Sequence, residues 1–170
     1  MAKGITSGYI QLGATVWNKK VQDVFRERPF VGGLTYQGHA LACAAGVANV
    51  EIYRSDNLVE NSRVMGEYML GKMEEIKARH RSVGDVRCKG LWGCIELTSD
   101  KDKRAPLAGY ADSRRNVSGE LMKRLYASGL YLFAKWDFLF LAPPLIIDKA
   151  QIDESMAIID KALDWTDTLC

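Results

Sequence analysis

A chain of 170 residues, 48% hydrophobic and 26% charged, has the composition of a folded globular protein and the length of about one ordinary domain. Its 23 Lys and Arg against 21 Asp and Glu leave a net charge of +2, too balanced for a dedicated nucleic-acid or membrane surface. No 18-residue apolar run occurs, and the opening MAKGITSGYIQLG lacks the long apolar stretch of a secretion signal, so the expected location is the cytoplasm.

Lys3 to Gly13 is punctuated by glycine, and the apolar Gly13-Ala14-Thr15-Val16-Trp17 predicts a short strand. A brief helix is expected over 20–25, before Pro29 and Gly32-Gly33 break regular structure. Gly38 to Ala48 is mostly Ala and Gly, which suits a helix packed very close to its neighbours. Gly46 weakens such a helix by about 1 kcal/mol unless close packing compensates. After Ser55-Asp56-Asn57, the spacing of Leu58, Met65, Met69, Met73 and Ile76 predicts an amphipathic helix whose methionine row fills a core.

In the second half, Leu91, Gly93, Ile95 and Leu97 alternate with Trp92, Cys94 and Glu96, the period of a strand. The charged stretch from Ser99 to Asn116 reads as a solvated loop or small insertion. Asn116 or Ser118 caps a helix through Tyr126, with Gly129 just past its end. Strands are expected over 130–135 and 138–141, joined through Trp136-Asp137 and ended by Pro143-Pro144. Asp148 and Gln151 resemble a capping box, and Ile152, Met156, Ile159 and Leu163 mark the apolar face of a last helix. The expected organisation is a Gly/Ala-rich segment over 1–50, a connecting helix over 51–80, and an α+β unit with an antiparallel sheet over 81–170.

The four cysteines, Cys43, Cys88, Cys94 and Cys170, are scattered without a C-x-x-C pair. With only His39 and His80 to join them, no zinc site assembles at the usual spacings, and no metal is expected. Ordinary thiols are the expectation for all four; a facing of Cys88 and Cys94 across a hairpin is the residual alternative, and an intracellular chain disfavours a disulfide there.

Three segments carry possible chemistry. Lys3 lies among small residues in a glycine-punctuated turn, where a cofactor can approach the backbone and an amine can form a Schiff base; from these residues alone an ordinary solvent-exposed lysine is the favoured reading. Gly32-Gly33-Leu34-Thr35 leads into a helix start, the place for a phosphate cradle or simply for a cap. His39 reads as a satisfied helix-start residue. Lys135 beside Trp136 is a candidate holder of a carboxylate or sulfonate, or a strand-end charge in water.

Taken in order, AKGITSGYIQLGA, GGLTYQGHALACAAG and LAPPLII resemble the class III (subgroup II) aminotransferases, enzymes that use pyridoxal phosphate, over nearly the whole chain. The segments look most like the ω-amino acid–pyruvate and taurine–pyruvate transaminases. The resemblance implies a fold-type I transferase of mixed α/β and α+β class. Residues 1–50 would be the tail of the large cofactor domain, 51–80 the connecting helix, and 81–170 the small α+β domain.

It implies that Lys3 is the Schiff-base lysine, and that Thr35 bonds the cofactor phosphate in the neighbouring subunit of a homodimer. Two positions depart from the family's pattern. Ala40 stands where proline often follows Gly-His. Phe133 stands where many ω-transaminases carry the arginine that binds a substrate carboxylate, so Lys135, two residues on, takes that place without Arg's bidentate fork. The family's phosphate loop, its ring-stacking aromatic and its pyridine-nitrogen aspartate precede the lysine. The chain is therefore expected to be a C-terminal portion, inactive alone, whether Met1 is a native start or a truncation. The rival expectation is a stand-alone ligand- or protein-binding module descended from such an enzyme.

Overall fold

Residues 1–109 and 116–170 are described by a computed structural model, in which the chain divides into two units, 1–58 and 59–170. The first unit is organised by α2 (Ala40–Ser55), which starts where His39 Nδ1 accepts the Ala42 N–H at 3.3 Å. Against α2 lies a one-turn 3-10 helix, Gly4–Thr6. Small side chains make the approach possible: a Cβ on Gly46 would stand 3.0 Å from Leu12 Cδ2 and 3.9 Å from the Ile5 carbonyl oxygen. The close packing expected of this Ala/Gly stretch is what Gly46 serves.

α1 (Lys19–Glu27) is capped by Asn18, whose side chain accepts the Val21 N–H at 3.1 Å. Trp17, Phe25 and Phe30 gather beside it, with ring centroids 4.9–5.3 Å apart. Residues 13–17 form no strand, contrary to the sequence expectation. A strand needs a partner ladder, and this stretch finds only the reciprocal bonds between Met1 and Ala14.

The second unit is a sheet with helices packed on its core side. α3 (Leu58–Arg79) leads into β1 (Val83–Lys89), β2 (Trp92–Asp100) and β3 (Ala105–Pro106). α4 (Val117–Ala127), β4 (Phe133–Lys135), β5 (Phe138–Leu141) and α5 (Lys149–Asp167) follow. The strands run antiparallel in the order β1-β2-β5-β4, with β3 paired to β2. β1 was not anticipated. A register shift between Val83 and Asp85 breaks its alternation, so its buried Val83 and Val86 fall three apart.

The methionine row does fill the core. Met65, Met69, Met73 and Ile76 pack with Ile95, Leu97, Leu139 and Leu141 of the sheet, Leu121 and Leu125 of α4, and Ile152, Ile159 and Leu163 of α5. Gly66 lets α3 settle directly on the β1–β2 turn: a Cβ there would lie 2.1 Å from the Gly90 carbonyl oxygen. Asn116 caps α4, and Asp148 and Gln151 form the capping box of α5 as expected. All four cysteines are free; Cys88 pairs across the hairpin with Gly93, and Cys94 with Arg87. Residues 110–115 of the expected loop lie outside the described residues. No helix among the described residues is long and apolar enough to cross a membrane.

Candidate functional site

Lys3 stands immediately before the 3-10 helix at φ 56° and ψ −88°, and Ser7 closes that helix at φ 51°. Two residues with side chains in the left-handed region, four apart, cost of order 1–3 kcal/mol each and persist only where neighbours hold them. Here the holding groups are visible. Asn49 Nδ2 of α2 donates to the carbonyls of Gly4 at 3.0 Å and Ile5 at 3.1 Å, and buried Thr6 bonds the Ile10 carbonyl. The Lys3 side chain is exposed, and its amine takes no partner among the described residues. α2 thus fixes the backbone that presents a free primary amine. Asn49 escaped the sequence reading, although a lone amide in the otherwise apolar stretch 40–50 was a signal for it.

Thr35 opens the turn 35–38 ahead of α2, which Gln37 N–H to Leu34 O at 2.9 Å and His39 N–H to Tyr36 O at 3.2 Å hold closed. Its hydroxyl is exposed and takes no partner among the described residues. Gly33 and Gly38 on either side meet no atom within 4 Å of an added Cβ, so the backbone there is open to an approaching group. Lys3 and Thr35 are therefore served by the same helix, one against its middle and one at its start, with no bond between the two side chains.

Lys135 belongs to the second unit. It ends β4 on the same exposed face as Phe133, and its Nζ lies 4.5 Å from the Trp136 ring centroid. Phe133 stacks on Phe140 at 5.7 Å, and Phe140 meets Trp92 at 6.1 Å, giving the sheet an aromatic row beside an apolar cleft of about 580 Å³. The turn between β4 and β5 has only Trp136 and Asp137, with Trp136 at φ 54°. Asp137 is buried and accepts the Ala108 N–H at 2.7 Å and the Gly109 N–H at 3.1 Å. That carboxylate pins the segment after β3 to the hairpin. The sequence reading gives Asp137 no role beyond the connection between the two strands.

A second polar cluster went unread because its members are some 80 residues apart. Buried His80 sits between two carboxylates, with Nδ1 2.7 Å from Asp167 and Nε2 3.0 Å from Asp160. Arg79 also reaches Asp160 at 2.7 Å, and the Ser82 N–H donates to Asp167 at 2.9 Å. Burial opposes ionisation of Asp167, but the bonds from Ser82 and His80 prevail and hold its carboxyl below the ordinary aspartate value. His80, Asp164 and Asp167 offer ligand-type atoms within 4.8 Å of one another. Both ring nitrogens of His80 are already engaged by carboxylates, so the cluster reads as a clamp between the end of α3 and the end of α5.

A family model described as aminotransferase class-III matches residues 1–163. The putrescine–pyruvate aminotransferase of Pseudomonas aeruginosa is 32% identical over 167 residues, which cover 98% of this chain and 36% of that protein. A taurine–pyruvate aminotransferase of Bilophila wadsworthia is 35% identical over 169 residues, covering 95% of this chain and 37% of that protein. Among solved structures, a taurine:2-oxoglutarate aminotransferase from Bifidobacterium kashiwanohense, in complex with PLP and glutamate, matches with a TM-score of 0.90 at 35% identity. That match covers 99% of this chain and 38% of the other. The fold is the transaminase fold, and the chain spans only 36–38% of the length of these relatives.

Proposed function

Because the chain belongs to the class-III aminotransferases, we propose that it is the C-terminal portion of an enzyme moving an amino group from an ω-amino acid, amine or taurine to pyruvate or another oxo acid. The observation that carries this reading is a family match running through residues 1–163 as one piece, with Lys3 inside it. In this reading, residues 1–50 are the tail of a large cofactor domain, 51–80 the connector and 81–170 the small domain. The enzyme works as a cytoplasmic homodimer.

The residues present fit pyridoxal phosphate in two respects. Lys3 offers an exposed amine, without a partner among the described residues, from a strained turn, and Thr35 offers a hydroxyl likewise without a partner among the described residues, between glycines with open backbone. When bound, the cofactor supplies an aldehyde and a ring that accepts an electron pair from the substrate carbon. The chain's own work is then positional and protonic. Lys3 Nζ anchors the cofactor and, when free, carries the proton that must move between two carbons. Asn49 holds the Gly4 and Ile5 carbonyls so that the Lys3 backbone cannot relax. The Thr35 hydroxyl donates to phosphate, and Lys135 meets the substrate's acidic group as a point charge.

The test uses an assembled, active enzyme containing this chain. Borohydride reduction in the presence of pyridoxal phosphate is expected to label the peptide bearing Lys3, and Lys3→Ala to abolish amino transfer. Label spread over other lysines refutes the role of Lys3. The chain alone, supplied with cofactor, taurine or putrescine, and pyruvate, is expected to show no turnover, and measurable turnover refutes its incompleteness.

A further inference from the structure

The turn that carries Lys135 is built against the preference of its own sequence. Lys135 pairs with Phe138, so only Trp136 and Asp137 join β4 to β5. Trp136 has φ 54°, while Asp137 is outside the left-handed region. A two-residue hairpin turn of that form ordinarily takes glycine at its first position. Among the described residues, Lys3, Ser7, Asn57 and Arg104 also adopt positive φ with a side chain, and none is as bulky as tryptophan. A bulky residue there is strained and persists only where its neighbours hold it.

The neighbours act through Asp137. Its buried carboxylate accepts the Ala108 and Gly109 N–H groups, and its carbonyl oxygen accepts the Leu97 N–H at 2.7 Å. Three bonds to two other segments thus keep the turn from relaxing. The strained angle places the Trp136 ring centroid 4.5 Å from Lys135 Nζ. No carboxylate pairs with Lys135 among the described residues, so the indole face is what orients this ammonium. A long lysine side chain loses rotamer freedom when it holds an anion, and a ring already against it takes part of that loss in advance.

We propose that Trp136 is a positioning residue, which holds the Lys135 ammonium ready for the carboxylate of an oxo-acid substrate and so sets how tightly the acceptor binds. This rests on the proposed function for the role of Lys135. Every oxo-acid acceptor carries the carboxylate in question, whichever amino donor is used.

Two variants isolate the ring. Trp136→Phe and Trp136→Leu both keep a large apolar side chain at the same backbone angles, and only the first keeps an aromatic face. In proton NMR of the full chain, the Trp136 ring current should displace the Lys135 ε-methylene upfield, an effect kept in Trp136→Phe and lost in Trp136→Leu. In an assembled, active enzyme containing this chain, Trp136→Leu should raise the KM for pyruvate about five-fold with kcat unchanged, and Trp136→Phe less than about two-fold. Lys135→Met should raise it at least as far, and adding Trp136→Leu to Lys135→Met should change nothing more. A merely structural turn residue would act regardless of what stands at Lys135. Trp136→Gly, which removes the ring and suits the positive φ, replaces Trp136→Leu if the leucine variant does not fold.

An undisplaced methylene in the unsubstituted chain overturns the proposal. So does a pyruvate KM that Trp136→Leu leaves alone, or raises equally once Lys135 is already Met. If Lys135→Met itself leaves the KM unchanged, the role of Lys135 in the proposed function falls and the positioning falls with it. If Lys135→Met raises the KM and Trp136→Leu is silent, the positioning alone falls.

Discussion

Two glycines on α3 give a paired measurement in which the sign, not only the size, is at stake. Gly71 is exposed, and a Cβ placed on it meets no atom within 4 Å. Gly71→Ala therefore gains only the helix preference of alanine, about 1 kcal/mol. Gly66 is buried, and its Cβ would stand 2.1 Å from the Gly90 carbonyl oxygen and 2.4 Å from the carbonyl carbon. Ordinary contact begins near 3.4 Å, so helix and turn must part by more than an ångström. The obstacle is backbone, which no rotamer change relieves. Overpacking of this kind costs about 1–3 kcal/mol, and a backbone obstacle puts it at the upper end.

After subtracting the same helix gain, Gly66→Ala is expected to lose about 2 kcal/mol. For a chain of this size the midpoint falls by about 4–8 °C, whereas Gly71→Ala raises it by about 2–4 °C. Thermal unfolding followed by circular dichroism reads both. If Gly66→Ala proves as stable as Gly71→Ala, the close seating of α3 on the β1–β2 turn is wrong, because the propensity term is common to both variants.

Other outcomes follow from the polar pins. Asp137→Ala strips the partners from the Ala108 and Gly109 N–H groups and should cost about 2–3 kcal/mol in urea unfolding, with Asp137→Asn intermediate. Because the folded state lowers the pKa of Asp167, its contribution is present above the unfolded aspartate value near 4 and is lost as pH falls through the lower folded value. Asp167→Asn should remove about 1–3 kcal/mol at pH 7 and flatten the acid limb of stability against pH; an unchanged limb refutes the clamp. Met73→Ala, at a fully buried position, should cost about 2–5 kcal/mol, and a loss below 1 kcal/mol would mean that the methionine row is loosely packed.

What the sequence disclosed follows the range of the forces involved. α3 and α5 were readable because periodicity and capping act within a few residues, as Met65, Met69 and Met73 or Asp148 and Gln151 illustrate. β1 was hidden by its register shift, and the strand expected over 13–17 failed for want of a ladder that no local pattern reveals. At the candidate site, Lys3 and Thr35 were found through motif resemblance, whereas the strain at Lys3 became visible only with its backbone angles. Asn49 holds carbonyls more than 40 residues away, and His80 bonds carboxylates 80 and 87 residues on, separations beyond any local signal.

The sulfur in this core gives the molecule a built-in clock. Met65, Met69, Met73 and Met156 are buried together, while Met1 stands 72% exposed. Dilute peroxide turns an accessible thioether into a polar sulfoxide, a change the interior cannot absorb without loosening. Met1 should oxidise at the rate of a free residue, and the four interior methionines only as often as the sheet and its helices breathe apart. The ratio of the two rates, counted in mass increments of one oxygen, measures that breathing under native conditions without any denaturant.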